Sequence, residues 1–174
     1  TLAQSLFNWT PTAGQAKIWM SEANTKVPVC GRRFGKTESG ALDDVTSMMV
    51  TPHWASMVVA PSNDQVMINF KEARDRIESI PDLKGSFRCR ETPHPEISMG
   101  DRSIMYRTAG DDGKYIRGHG KKIRRIRVDE AAYIKQSVIE GVIEPMCLDC
   151  GAEIILQGTP FGKNYFYLRY LAGC

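Results

Sequence analysis

Apolar residues recur along this chain in alternating helical and strand-like blocks. Residues 12–24 place Ala16, Trp19, Met20 and Ala23 at helical spacing. Val27 and Val29 then mark a strand over 27–30, and residues 37–50 read as the helix that follows it. A second strand is expected over 56–60, closed by Pro61. The long pattern over 63–80 is helical, with Val66, Phe70, Ala73 and Ile77 on one face. Residues 81–95 read as a loop or hairpin, broken by Pro93 and Pro95. Two short strands over 97–106 fit around the turn Gly100-Asp101. Residues 109–120 are glycine-rich and expected to be mobile. A β-leaning run over 123–128 comes next, then a helix over 136–146 interrupted near Pro145. An apolar run of strand length, Ile154-Ile155-Leu156, precedes a last helix over 164–171.

Strands separated by helices predict an α/β fold, with a mostly parallel central sheet, helices on both faces and right-handed crossovers. A ligand of such a sheet lies at the carboxyl ends of its strands. With 174 residues and 42% hydrophobic content the chain can bury a sizeable core as a single domain, 1–174. No repeat, low-complexity segment or linker divides it. No apolar run of ~18 residues is present, so no membrane helix is expected. Residues 1–10 lack the basic-then-apolar order of a signal peptide. The first residue is Thr, so the expectation is a fragment or a chain lacking its start.

The chemistry concentrates in Val29-Cys30-Gly31-Arg32-Arg33-Phe34-Gly35-Lys36-Thr37. This stretch lies between a strand and a helix and ends in Gly-Lys-Thr, the context of a phosphate-binding P-loop. Successive N–H groups of such a loop form an anion nest, reinforced by the helix N-terminus. Lys36 would reach the β- and γ-phosphates of ATP, and the Thr37 hydroxyl would hold Mg²⁺. The first glycine of the usual pattern would fall at Cys30, and Gly31 comes one residue late. The alternative is an ordinary strand-to-helix turn.

A second motif answers the first. The run Ile123-Arg124-Arg125-Ile126-Arg127-Val128 ends in Asp129-Glu130-Ala131-Ala132. Asp129 would be the metal residue and Glu130 the base that takes a proton from the attacking water. Arg124, Arg125 and Arg127 are costly in a strand buried on both faces. Either their stems snorkel outward or this strand is less buried than its counterparts. Past the apolar run 154–156, Thr159 stands where a hydroxyl could sense the γ-phosphate or relay the change to a moving part. A turn threonine before Pro160 reads equally well.

Together these segments resemble the large terminase subunit of tailed bacteriophages, the motor that packages DNA into the procapsid. Gly31-Arg32-Arg33-Phe34-Gly35-Lys36-Thr37 looks like that family's variant of the phosphate loop. Pro11-Thr12-Ala13-Gly14-Gln15 is similar to its adenine-reading glutamine motif. Val58-Val59-Ala60-Pro61-Ser62-Asn63-Asp64-Gln65 is similar to its Ala-Pro-Thr-x-x-Gln motif. Val128-Asp129-Glu130-Ala131-Ala132 matches its carboxylate motif, and Gly158-Thr159-Pro160-Phe161-Gly162 resembles its coupling motif. Five segments in the right order cover nearly the whole chain.

The resemblance implies an ATPase domain of the ASCE, RecA-like P-loop type that hydrolyses ATP with Mg²⁺ and moves double-stranded DNA. Nucleotide contacts would come from Gln15, Gly31, Arg33, Gly35, Lys36, Thr37 and Thr159. Metal binding would fall to Thr37 and Asp129, and catalysis to Glu130, Arg32 and Arg117. Arg32 matches the loop arginine that contacts the γ-phosphate in its own subunit. Arg117, in Tyr115-Ile116-Arg117-Gly118, matches an arginine that in some relatives reaches into the neighbouring subunit as a finger. Such an arginine is often worth ~10³–10⁵ in rate. A surface residue beside a glycine turn is the plain alternative. The family also implies a homo-oligomeric ring, commonly of five subunits, on a portal protein, with a monomer in isolation possible. A small terminase subunit would choose the DNA, and no membrane is involved. The setting would be the cytoplasm of the infected bacterial host. Relatives carry a carboxy-terminal RNase H-like nuclease domain. None follows Cys174 here, so this chain is expected to hydrolyse ATP without cutting DNA.

Two other readings fit part of the pattern. A superfamily 2 helicase lobe would share the upstream glutamine and the Asp-Glu-Ala-Ala quartet, but needs a second RecA-like lobe. A non-hydrolysing nucleotide-binding scaffold would more often have lost Glu130.

Charge and cysteine usage add little. The net charge is +3, but Lys114, Arg117, Lys121, Lys122, Arg124, Arg125 and Arg127 form a basic run with no acid among them. It could follow a phosphate backbone, meet an acidic neighbour or be a solvated loop. Five cysteines make a full disulfide framework unexpected, and Cys30 lies in the loop itself. Cys147 and Cys150 have zinc-like spacing, but a zinc site takes about four ligands. Cys89 and His94 would have to join them, so free thiols are expected.

Overall fold

The computed structural model describes residues 2–117 and 123–173. Gly118, Gly120, Lys121 and Lys122, from the glycine-rich segment and the basic run, lie outside them.

Among the described residues seven strands form one sheet: β1 (Thr25–Lys26), β2 (Ala55–Ala60), β3 (Arg88–Arg90), β4 (Glu96–Met99), β5 (Arg102–Thr108), β6 (Arg125–Val128) and β7 (Glu153–Leu156). Their spatial order is β1-β7-β6-β2-β5-β4-β3. The pairings from β1 to β5 are parallel, while β4 and β3 add an antiparallel edge. The predicted turn at Gly100 joins β4 to β5, with a φ of +61° that glycine adopts freely. β7 is inserted between β1 and β6, so the strand after the carboxylates lies beside the strand before the phosphate loop.

Helices cover both faces. On one face lie α3 (Lys36–Val50) and α4 (Asn63–Glu78). Their Val45, Met48, Phe70 and Ile77 pack with Val58, Ala60, Ile104 and Tyr106. The other face carries α5 (Gln136–Val138), a π-helical turn Ile139–Ile143 and α6 (Glu144–Cys150), joined by α7 (Tyr165–Ala172). Ile139, Ile143 and Phe166 meet Met57, Val59, Ile126, Val128, Ile154 and Leu156 there. β2 shows the two-residue period: Met57 and Val59 serve one core, Val58 and Ala60 the other. The wide π turn absorbs the fit just before Pro145, whose missing N–H an unbroken α-helix would have used.

The structure differs from the expected pattern at four places. The strand foreseen over 27–30 is the pair Thr25–Lys26 with one further bridge, Val29 to Gly158. Pro28 explains the break, since it cannot donate to a ladder. An additional helix, α1 (Leu2–Phe7), packs against α3. In the segment after β5, the described residues up to Arg117 form turns and place Ile116 at 0% exposure in the core, an anchor the glycine-rich pattern did not show. The arginines of β6 neither snorkel nor lie in an exposed strand.

Arg124 is exposed, but Arg125 and Arg127 point together at α3 and are paired. Arg127 donates through Nε to Asp44 at 2.9 Å and through Nη2 to Asp43 at 2.8 Å. Arg125 lies 3.1 Å from Asp43 and 3.2 Å from Asp44, and its Nε donates to Glu153 at 2.6 Å. Glu153 in turn pairs with Lys26. Two adjacent aspartates on α3 are what a purely amphipathic reading of that helix misses. Burial raises the Asp43 carboxyl, but Arg125 and Arg127 override it, and the net position is below its ordinary value. Cys147 is buried in the core under β7, its thiol pushed up to about 12 by that burial, and Cys89 belongs to the opposite core.

Removing one member of such a cluster strands its partners in the interior. Arg127→Met should therefore cost about 3–5 kcal/mol of stability at neutral pH, measured by chemical denaturation. Asp43 is depressed in the folded state. Its contribution is thus present above its unfolded pKa and lost as pH falls through the folded value. The gap between Arg127→Met and the parent should narrow in acid, because protonation relieves the stranded carboxylates. A gap unchanged between neutral pH and the acid transition would contradict the cluster's electrostatic role.

Candidate active site

The loop between β1 and α3 is held from three sides. Below it, the Cys30 N–H donates to the Gly158 carbonyl at 3.0 Å, tying loop to β7. Within it, the chain turns through left-handed conformations at Arg33 (φ +63°) and Gly35 (φ +80°). A Cβ on Gly35 would lie 2.9 Å from Gln15 Nε2, so both backbone conformation and space call for glycine there. Lys36 and Thr37 are the first residues of the 15-residue α3. Its first N–H groups lack partners further up the helix and carry its positive dipole end.

The third support is α2 (Ala13–Met20). Thr12 and Gln15 form a reciprocal capping box at its start. Gln15 accepts from the Thr12 N–H at 2.8 Å and donates through Nε2 to the Phe34 carbonyl at 2.9 Å. Buried to 4% exposure, Gln15 thus ties α2 to the loop. One Nε2–H and one oxygen lone pair remain for another partner.

Across the loop, β6 and β7 end side by side. The Asp129 N–H donates to the Val59 carbonyl at 2.8 Å and continues the sheet. Glu130 then takes a left-handed conformation, φ +48°, and reverses the chain into the 3-10 turn Ala131–Tyr133. The Ala131 N–H donates to the Gln157 carbonyl at 2.9 Å. These close approaches require Gly158, whose added Cβ would come 3.3 Å from the Ala131 nitrogen. The result is a convergence of three side chains. Lys36 Nζ donates to Thr159 Oγ1 at 3.1 Å and lies 3.6 Å from Glu130 Oε1. Lys36, Glu130 and Thr159 meet at one point.

Asp129 is 5% exposed, and each of its oxygens accepts one hydrogen bond. Its Oδ2 accepts from Asn69 of α4 at 2.9 Å and its Oδ1 from Gln157, just past β7, at 3.0 Å. Both donors are neutral, so neither cancels the charge that a cation would meet. Arg32 and Arg33 are exposed on the loop. Arg117 is exposed too, and donates to the Asp112 carbonyl of its own segment at 3.3 Å. The structure therefore brings together Gln15, Gly35, Lys36, Asp129, Glu130 and Thr159, with Gly31, Arg33 and Thr37 on the same loop. It leaves Arg117 in a separate exposed segment. Burial raises the Cys30 thiol against the pull of Lys36.

Sequence reasoning missed Asn69 and Gln157. Each carried a signal: a polar residue at a core-facing position. Asn69 stands three residues after Val66 on the buried face of α4, and Gln157 closes the apolar run of β7.

No family model matches the chain. The large terminase subunits of Thermus phage G20c and Thermus virus P23-45 are each 26% identical to it over 183 aligned residues. The match covers 97% of this chain and 37% of theirs, so the chain spans well under half of those relatives. Among solved structures, the ATPase domain of the Thermus phage P74-26 large terminase superposes with a TM-score of 0.82 at 23% identity. That match covers 97% of this chain and 72% of the other. The large terminase of a second thermophilic bacteriophage superposes at 0.70 with 16% identity, over 94% of this chain and 43% of its own. The fold is that of a phage large terminase ATPase domain. The resemblance carried by the five motifs thus holds in sequence and in fold. The terminase of that second phage has also been solved with ADP and with ATP-γ-S.

Proposed function

We propose that this chain is the ATP-hydrolysing motor domain of a phage large terminase, driving double-stranded DNA into a procapsid inside the infected bacterial host. The observation that carries this reading is the meeting of Lys36, Glu130 and Thr159 where the phosphate loop, β6 and β7 end. The partners are those of such a motor: DNA, a portal protein, a small terminase subunit and further copies of this chain in a ring.

In this mechanism the loop N–H groups and Lys36 receive the phosphates, and the exposed Arg32 turns onto the γ-phosphate of its own site. Gly31, Gly35 and Arg33 shape the loop, and Gln15 meets adenine with its remaining donor and acceptor. Thr37 and Asp129 are the residues that would hold Mg²⁺. They fit it, because Mg²⁺ takes one or two protein oxygens plus phosphates and waters rather than a cage of carboxylates. A bound Mg²⁺ supplies charge neutralisation on the phosphate oxygens. Glu130 holds the attacking water and accepts its proton at Oε1 or Oε2. Lys36, which touches both Glu130 and Thr159, links the phosphates to the base and to the coupling segment at once.

Lys36→Ala should abolish ATP hydrolysis and lower nucleotide affinity in calorimetry, because the phosphates lose their nearest cation. Unchanged affinity would overturn the phosphate-loop assignment.

The two carboxylates should separate by phenotype. Glu130→Gln keeps the shape but cannot accept a proton, so it should bind Mg-ATP and lose turnover by ~10²-fold or more. Asp129→Asn should instead weaken the Mg²⁺ dependence of nucleotide binding. Near-normal turnover in Glu130→Gln would place the base elsewhere.

Arg117 is proposed to act in trans, since its exposed segment can face a neighbour whereas Arg32 is tied to its own loop. Specific activity should then rise with protein concentration, and Arg117→Ala should lose that rise while still binding ATP. Mixing Arg117→Ala with Glu130→Gln pairs intact fingers with intact bases at some interfaces. Activity above the sum of the two variants is expected. Strictly additive activity, with mixed association verified, would leave Arg117 a surface residue.

A further inference from the structure

We infer that Asn69 and Gln157 are positioning residues that fix the Asp129 carboxylate for its cation. This inference rests on the Mg²⁺ role proposed for Asp129. The two amides reach the carboxylate from different parts of the fold, α4 and the residue that follows β7, and take one oxygen each, at 2.9 and 3.0 Å. Neither amide is free to turn over. Asn69 Nδ2 also donates to the Gln65 carbonyl at 2.9 Å, so both its N–H groups face acceptors. A flipped Asn69 would set its oxygen against two other oxygens. Gln157 Oε1 accepts from Arg127 Nη1 at 3.4 Å, which obliges its Nε2 to face Asp129.

Gln157 is also a spacer. Arg127 lies one side chain away from Asp129, and a direct arginine–aspartate pair would cancel the charge a metal needs. Instead Asp43 and Asp44 hold the Arg127 guanidinium at 2.8 and 2.9 Å. Gln157 passes on the orientation of that rigid cluster through a neutral group. All four of Asn69, Arg127, Asp129 and Gln157 are buried, so water does not substitute readily for a lost contact. Outer-shell partners of metal-binding carboxylates typically change metal affinity ~10–100-fold when removed.

The test uses Asn69→Ala, Gln157→Ala, Asp129→Asn and the double variants that combine each alanine with Asp129→Asn. Mn²⁺ serves as the probe, its binding in the presence of ADP read from its electron paramagnetic resonance spectrum. ADP affinity without metal is measured by calorimetry, and folding by thermal melting. Asn69→Ala and Gln157→Ala should each weaken Mn²⁺ binding ~10-fold or more, with metal-free ADP affinity within about twofold of the parent. On the Asp129→Asn background neither alanine should weaken Mn²⁺ further, because both act through that carboxylate. Unchanged Mn²⁺ affinity in folded alanine variants, while Asp129→Asn loses it, would overturn the positioning role and leave the metal reading standing. Unchanged affinity in Asp129→Asn itself would overturn the metal reading. Should either alanine variant fail to fold, Asn69→Ser and Gln157→Ser, slightly smaller losses of volume that put a short hydroxyl in place of the amide, are held to the same criteria.

Discussion

A buried charge cluster between the phosphate-loop helix and the carboxylate strand governs this site. Lys26, Arg125 and Arg127 face Asp43, Asp44 and Glu153, three charges of each sign among the described residues. Desolvating so many ions is costly, and apolar residues of similar volume often stabilise a core as well or better. The cluster's value lies in what it joins. α3 begins at Lys36, and β6 ends at Asp129. Arg125 and Arg127 each touch both aspartates of α3, so sliding helix against strand would unpair several charges in the interior. Gly40 on α3 makes the close approach possible, since a Cβ there would meet Arg127 Cδ at 3.1 Å. Conformational specificity is a reasonable account of why this cluster exists at the base of a site that needs fixed spacing.

The second constraint is the place of β7. By running between β1 and β6 it sets Gly158 against the loop strand on one side and the Ala131 backbone on the other. Thr159 then emerges within reach of Lys36, which also pairs with Glu130, instead of at a distant sheet edge. A strand in that position is contacted by anything that moves the lysine or the glutamate. The two residues after it, Pro160 and Phe161, carry that contact outward, and Phe161 stacks on Tyr133 at 4.9 Å between ring centroids. The 3-10 turn that follows Glu130 and the segment that follows Thr159 are thereby packed together. If Glu130 and Thr159 act as proposed, movement at either would be felt through this stack.

Much of this was legible in the chain because the relevant signals are local. The loop glycines, the Asp-Glu pair and the alternation of strand and helix patterns each follow from a few adjacent residues, and the helices foreseen from periodicity begin within two residues of where it put them. What escaped depended on distance along the chain. Arg125 and Arg127 look misplaced in a buried strand until Asp43 and Asp44 arrive from α3, more than eighty positions earlier in the case of Arg127. Asn69 and Gln157 look like blemishes on apolar faces until Asp129 stands between them. Ile116 looks like part of a flexible, glycine-rich stretch because periodicity cannot register one isolated anchor. The strand at Val27 and Val29 was overstated because apolar character outweighed the missing N–H of Pro28.

The distribution of charge completes the physical picture. Every cation of the buried cluster is matched, so the interior contributes orientation and little net field. The positive charge that faces the loop comes from Lys36, from the exposed Arg32 and Arg33, and from the N-terminus of α3. Arg32 and Arg33 are at the surface, while the Lys36 side chain is only 12% exposed and meets an anion in a more enclosed place. The negative charge stands opposite, on Asp129 and Glu130, and the two differ in freedom. Asp129 has both oxygens fixed by amides, as a site for a cation requires. Glu130, paired with Lys36 at 3.6 Å, is held by a charge that an incoming phosphate would compete for. An anion entering the loop would therefore weaken the hold on Glu130 and on Thr159 together, while Asp129 keeps its amide partners. One rigid carboxylate beside one releasable carboxylate is the arrangement through which the proposed motor would keep nucleotide binding and hydrolysis separate.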